Sequence, residues 1–181
     1  MSMWKEFKPA FSFLAKFLGI YVVGNLLYGV YVESHGQKAD RLTVAVTEQT
    51  AAVLQWAGND VHTEISTDSP KVFLKTSAAT ILNVFEGCNG INVMIIFVAF
   101  VFAFGGPVKK MTWFIPSGLI IIHLSNLLRI SLLYYVSQYY QRYFYYIHKY
   151  FFTAVLYMIV VILWSVWVFK FNEVRKDSSA S

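Results

Sequence analysis

One cysteine, one arginine and one histidine stand out in this strongly apolar chain. Cys88 is the sole cysteine of 181 residues and sits in the turn Glu86-Gly87-Cys88-Asn89-Gly90. Arg129 interrupts the apolar run Leu127-Leu128-Arg129-Ile130, and His148 opens the last apolar stretch. Together these types can do nucleophilic chemistry. A thiolate is the attacking form of cysteine, and a neighbouring cation or a helix N-terminus lowers the pKa of the thiol. An imidazole can take the thiol proton and return it to a leaving amine. A guanidinium can hold negative charge on a thiolate, an oxyanion or a substrate carboxylate. The amides of Asn89 and Gly90 could act as oxyanion donors, while Gly87 and Gly90 allow unusual backbone angles and close approach of a substrate. Asn126 lies three residues before Arg129, on the same helical face, where it could orient the guanidinium; Glu86 is its candidate ion-pair partner. On that basis the sequence predicts a depressed thiol pKa at Cys88. Each residue also has an ordinary reading: a lone cysteine as a small apolar filler, an arginine that snorkels to lipid phosphate, a histidine at the interface.

The elements that must position these groups follow from the length of a membrane crossing. Hydrophobic residues make up 57% and aromatics 18% of the chain, which excludes an ordinary soluble domain of this size. A hydrocarbon core of roughly 30 Å needs about 20 apolar helical residues. This predicts four spans near 10–32, 90–108, 112–136 and 149–169. The expected fold class is an all-α membrane protein, one four-helix domain over 1–181 with a disordered tail at 177–181. The first apolar stretch is too long for a signal-peptide core of about 7–15 residues, so it reads as a retained helix.

Charge sets the orientation. Lys5, Lys8 and Lys16, then Lys109 and Lys110, then Lys170, Arg175 and Lys176 mark one side, which the positive-inside rule makes cytoplasmic for both termini. Between the first two spans, residues 33–88 carry four cations against seven anions and face out. The basic residues lie beside apolar segments, which explains the net charge of +5 as a topology signal rather than a nucleic-acid footprint. Measured at 1.5 Å per residue from the cytoplasmic ends of their helices, Cys88 lies about 31 Å away, His148 about 33 Å and Arg129 about 25 Å. All three meet near the outer rim. An arginine facing lipid there costs a few kcal/mol, so Arg129 should face the bundle or a wet cavity.

Within the outer segment, Leu42, Ala45, Val46, Gln49, Ala52, Val53 and Trp56 recur at helical spacing, predicting an amphipathic helix on the outer membrane surface, stopped by Gly58-Asn59. Val61–Ile65 and Lys71–Leu74, divided by Ser66-Thr67-Asp68-Ser69-Pro70, predict a short hairpin. No metal is expected, because Cys88, His123 and His148 lack paired spacing and His35 and His62 fall in the outer segment. No cofactor motif is present in the sequence.

Over residues 80–170 the chain resembles the exosortase and archaeosortase superfamily of membrane cysteine transpeptidases. The resemblance is carried by Glu86-Gly87-Cys88-Asn89-Gly90-Ile91, Asn126-Leu127-Leu128-Arg129-Ile130 and His148, in the family's Cys, Arg, His order. Its size is similar to the short members rather than the eight-span forms. The resemblance implies that Cys88, Arg129 and His148 are catalytic, with Cys88 as nucleophile. It also implies a substrate: an exported protein ending in a short motif, a transmembrane helix and a basic tail. Cleavage would occur at the periplasmic face of a bacterial inner membrane, with transfer to a lipid or glycan acceptor or to water. Other readings stay open, a non-catalytic scaffold or assembly factor and an enzyme acting on lipid through Arg129.

Overall fold

Backbone groups in hydrocarbon must be satisfied within their own segment, which makes the apolar stretches helices. The computed structural model describes residues 3–177. Helices α1 (Met3–Glu33) and α4 (Val108–Tyr139) are long enough to cross a bilayer, as is the continuous winding from Gln141 to Lys170. That last winding comprises a 3₁₀ turn (Gln141–Tyr143), the short α5 (Phe144–Tyr146), a π turn (Ile147–Phe151) and α6 (Phe152–Asp177). The chain is therefore a multi-pass membrane protein by helix length and composition.

The expected second span, near 90–108, is shorter than the sequence predicts. Helix α3 runs only from Ile91 to Phe104, 14 residues, or about 21 Å at the helical rise. Gly105, at φ 76°, ends it before Pro107 opens α4. The four-span expectation thus gives way to three long helices and one short apolar helix. Helix α3 packs against α1, α4 and α6. The contacts are largely aromatic: Phe100 lies 5.5 Å from Phe13 of α1, edge to face, and 4.2 Å from Trp164 of α6, stacked. Phe114 and Trp167 are 4.8 Å apart, and the Trp167 indole N–H donates to the Gly105 carbonyl at 3.2 Å. Between apolar helices in lipid such packing and hydrogen bonds supply the association, since no hydrophobic term separates helix from lipid.

Outside the bundle, helix α2 (Arg41–Trp56) starts at Asp40, whose carboxylate accepts from the Leu42 and Thr43 N–H groups at 3.0 Å. Against the protein it buries a face that overlaps the apolar stripe only at Val46. Thr43, Val46, Thr47, Thr50, Ala51 and Leu54 are buried, while Leu42, Val53 and Trp56 are exposed. The buried threonines satisfy their hydroxyls locally: Thr47 donates to the Thr43 carbonyl and Thr50 to that of Val46, at 2.7 and 2.8 Å. Gln49 reaches the ring of His123 on α4 at 2.8 Å, which ties α2 to the side of that helix.

The all-α expectation is corrected as well. Helix accounts for 74% of the chain, but a three-stranded antiparallel sheet follows α2. Strands β1 (His62–Ile65) and β2 (Lys71–Lys75) form the expected hairpin, and β3 (Thr80–Phe85) adds to β2 with Val72 opposite Val84 and Leu74 opposite Leu82. One sheet face buries Val72, Leu74, Leu82 and Val84, of which Leu74, Leu82 and Val84 join Leu54 of α2 and Ile130, Leu133 and Tyr134 of α4 in one cluster. Each such side chain removed from water contributes about 1.5–3 kcal/mol. The result is a small outer layer fixed to the end of α4, with β3 running straight into the cysteine turn. The tail expected to be disordered at 177–181 lies, beyond Asp177, outside the described residues.

Candidate active site

Four structural units deliver the site. The 3₁₀ turn Glu86–Cys88 carries the thiol between β3 and α3. Gly90 then takes φ 84° to begin α3, in the left-handed region where side chains are strained, and a Cβ there would sit 3.1 Å from the Asn126 side chain. Gly87 is crowded too: a Cβ would fall 2.6 Å from the Phe85 ring. Of the two, Gly90 is the one the turn's backbone requires, while the exposed Phe85 ring beside Gly87 can turn aside.

Arg129 and Asn126 come from α4. The Asn126 side chain is fully buried, donates to the Cys88 carbonyl at 2.9 Å and accepts from Arg129 Nη1 at 3.4 Å. One amide thereby joins the cysteine turn to the guanidinium. His148 comes from the π turn, where the extra residue per turn advances the helix face by about 100°. Its ring lies parallel to that of Phe144, four residues earlier, at 5.7 Å. His148 Nε2 stands 3.8 Å from Cys88 Sγ and 3.5 Å from Arg129 Nη2. A guanidinium has donors only, so the Arg129 contact suits the tautomer whose Nε2 is an unprotonated acceptor. That same nitrogen faces the sulfur.

The structure brings together Cys88, Arg129, His148 and Asn126, with Asn89 and Gly90 flanking them. Glu86 is close enough to act on the Cys88 sulfur electrostatically, but among the described residues it forms no ion pair with Arg129. Arg129 Nε is buried without a hydrogen-bond partner. The guanidinium therefore retains capacity for an anion that the described residues do not supply.

The expected depression of the thiol pKa is overturned. Burial pushes the Cys88 thiol up from its ordinary value. The Arg129 charge and the Phe85 main-chain N–H pull in the opposite direction without prevailing, and Glu86 adds to the rise. At neutral pH Cys88 rests as a thiol, so attack on a carbonyl requires a base. Two measurable consequences follow from that sign. The alkylation rate of Cys88 by iodoacetamide should climb with pH through an inflection above that of a free thiol, about 8.5. Arg129→Gln, which removes the downward influence, should move the inflection higher still; an inflection below 8.5 in the native protein would contradict this account of the site.

Several contributing residues carry no sequence motif. The Asn89 side chain is fully buried, caps α3 by accepting from the Ile91 N–H at 3.0 Å, and donates to Tyr28 of α1 at 2.6 Å and Thr43 of α2 at 3.0 Å. Thr43 in turn donates to the buried Asp40 carboxylate. Tyr28 also contacts the Glu86 carbonyl at 3.5 Å. Helices α1 and α2 thus brace the turn through one polar cluster. Asp40 is readable as a helix cap, and Phe144 as the i−4 neighbour of His148; Tyr28 and Thr43 give no signal.

A thiol, imidazole and guanidinium gathered on three helical elements of a multi-pass chain define the class as a helical membrane protein with a cysteine-centred site. The family model described as Transmembrane exosortase (Exosortase_EpsH) matches residues 9–167. The chain belongs to that family, whose members are cysteine transpeptidases. Searches of curated proteins and of solved structures find no match.

Proposed function

We propose that the protein is a cysteine peptidase or transpeptidase that removes C-terminal tails from exported proteins at the outer face of a bacterial inner membrane, with both of its termini cytoplasmic. The single observation that carries this reading is His148 Nε2 at 3.8 Å from the sulfur and 3.5 Å from the guanidinium, and family membership supports it.

The chemistry runs in two halves. His148 Nε2 accepts the Cys88 proton as the sulfur attacks a backbone carbonyl. Arg129, with the amides of Asn89 and Gly90, stabilises the resulting oxyanion. The C–N bond then breaks, the amine of the departing helix-and-tail fragment takes the proton from His148, and a thioester remains on Cys88. An amine on a lipid or glycan acceptor attacks the thioester to form a new amide and restore the thiol, while water in its place gives a carboxylate. A buried, partner-poor guanidinium suits a site where negative charge develops only during reaction. No cofactor enters any step.

The substrate can be found and the reading tested in one experiment. Membranes of cells with and without this chain are compared by mass spectrometry of C-terminal peptides. Cells lacking the chain should accumulate proteins that retain a terminal apolar helix and basic tail, absent from the matched set. Identical C-termini in both samples would overturn the proposal in favour of a non-catalytic assembly factor, and a lipid adduct on Cys88 in place of a peptide would favour an enzyme of lipid.

A further inference from the structure

Strand β3 (Thr80–Phe85) pairs with β2 on one side only and leads directly into the cysteine turn. In an antiparallel strand the N–H and C=O of one residue point to the same side, and the side alternates from residue to residue. The Phe85 N–H faces the Cys88 sulfur, away from β2. Asn83, two residues earlier, turns its main-chain N–H and C=O the same way. Further back, at the irregular step opposite Leu74 and Lys75, the Ile81 carbonyl is taken by the Ser137 hydroxyl of α4 at 2.8 Å. The outer edge of β3 therefore reads as an occupied carbonyl, a donor–acceptor pair at Asn83 that is free among the described residues, and an N–H aimed at the thiol.

We infer that this edge is the substrate-binding strand: an extended segment of the substrate, just outside the membrane, pairs with the Asn83 main chain and is thereby aligned for attack by Cys88. The inference rests on the reading of Cys88 as nucleophile and extends it to how the peptide is held. An unpaired strand edge is a template for another strand, and strand addition is a recurring mode of peptide capture. Strands rise about 3.3 Å per residue, so the carbonyl brought level with Phe85 lies two residues, about 6.6 Å, from the substrate residue facing Asn83. The register follows from the alternation of β3 itself. The opposite edge of the sheet, β1, does not lead to Cys88, and the Lys75–Glu64 ion pair at 2.6 Å places charge beside it. The occupant of the β3 edge is a polypeptide rather than a lipid or a sugar, because the groups on offer are one main-chain donor and one main-chain acceptor in strand geometry. Such an edge reads chain conformation first and side chains second, which suits a site acting on several proteins that share only a short motif.

The experiment uses full-length protein in its own membrane. Asn83→Pro removes the outward N–H while leaving the ladder to β2 its inward-facing partners. Tail release should fall at least tenfold, while iodoacetamide labelling of Cys88 proceeds at the native rate. Native tail release by this variant would overturn the inference. Should the variant alter Cys88 labelling, the decision passes to photocrosslinking: a benzophenone side chain is placed at position 83 or, for comparison, at position 65 of β1, each in a Cys88→Ala background. Adducts carrying intact C-terminal tails from 83 and not from 65 support strand pairing at β3; equal yields from both, or none from 83, overturn it. Uninterrupted tail release by the Cys88→Ala parent would instead sink the proposed function, which keeps the two failures distinguishable.

Discussion

Cys88→Ala should leave the protein inserted and folded and bring the proposed tail release below detection. The reason lies in which atoms of Cys88 hold the turn. Asn126 grips its carbonyl at 2.9 Å, not its sulfur, and Asn89 and Gly90 set the start of α3 with their own side chain and backbone. Losing one buried sulfur leaves a small void, comparable with deletion of a methyl-sized group and costing on the order of 1 kcal/mol. Among the described residues gathered at the site nothing else can replace the nucleophile, since Asn126, Arg129 and His148 cannot form the thioester. Cys88→Ser should fail as well, since a hydroxyl resists deprotonation far more than a thiol and the site already disfavours the charged form by burial. Both variants are checked by C-terminal peptide mass spectrometry beside a membrane-extraction control for insertion. Continued tail release by the alanine form would remove the cysteine from the mechanism.

The parts of this arrangement that are legible in the sequence share one property: they follow from helix rise. Cys88, Arg129 and His148 are expected at one level because each lies about a bilayer's worth of residues from the basic end of its segment, and the structure gathers the three side chains although α3 covers only 14 of the residues that follow Cys88. Asn126 is readable beside Arg129 from its i−3 spacing, and the structure adds that it also grips the cysteine turn. What fails is reasoning from one force at a time. A cation and a helix terminus alone predict a lowered thiol pKa, whereas the turn buries Cys88 in the cluster that holds Leu127, Ile130 and Phe152, and desolvation outweighs the Arg129 charge. Apolar residues alone predict a full span at 90–108, yet Gly90 and Gly105 adopt positive φ and bound α3 at 14 residues. Hydrophobicity alone picks out the apolar stripe of α2 but not the face packed against the protein, because it passes over threonines able to satisfy themselves on their own helix. Strand β3 reads as a mere lead-in to the cysteine, although Leu82 and Val84 alternate with Asn83, the period-2 pattern of a half-buried strand.

His148→Gln is the second variant with a large effect, and it separates proton transfer from nucleophilicity. Glutamine can occupy the place of the ring and accept from Arg129, but it cannot take a proton. The thiol rests protonated because burial raises its pKa, so in the native protein the proton must move to Nε2, 3.8 Å away, during attack. Loss of that step should slow tail release about 10²–10⁴-fold, the usual contribution of a positioned acid–base group. Alkylation of Cys88 at high pH should persist, since hydroxide removes the proton without help. His148→Gly, in which the ring that stacks on Phe144 is replaced by a vacancy, should regain part of the rate when free imidazole is added, whereas Cys88→Ala should not respond. Tail release within about threefold of native for His148→Gln, on a scale where acid–base groups contribute at least a hundredfold, would assign the imidazole a packing role and leave the base to be found elsewhere. Imidazole rescue would fix the base at the position from which Nε2 faces both the sulfur and the guanidinium.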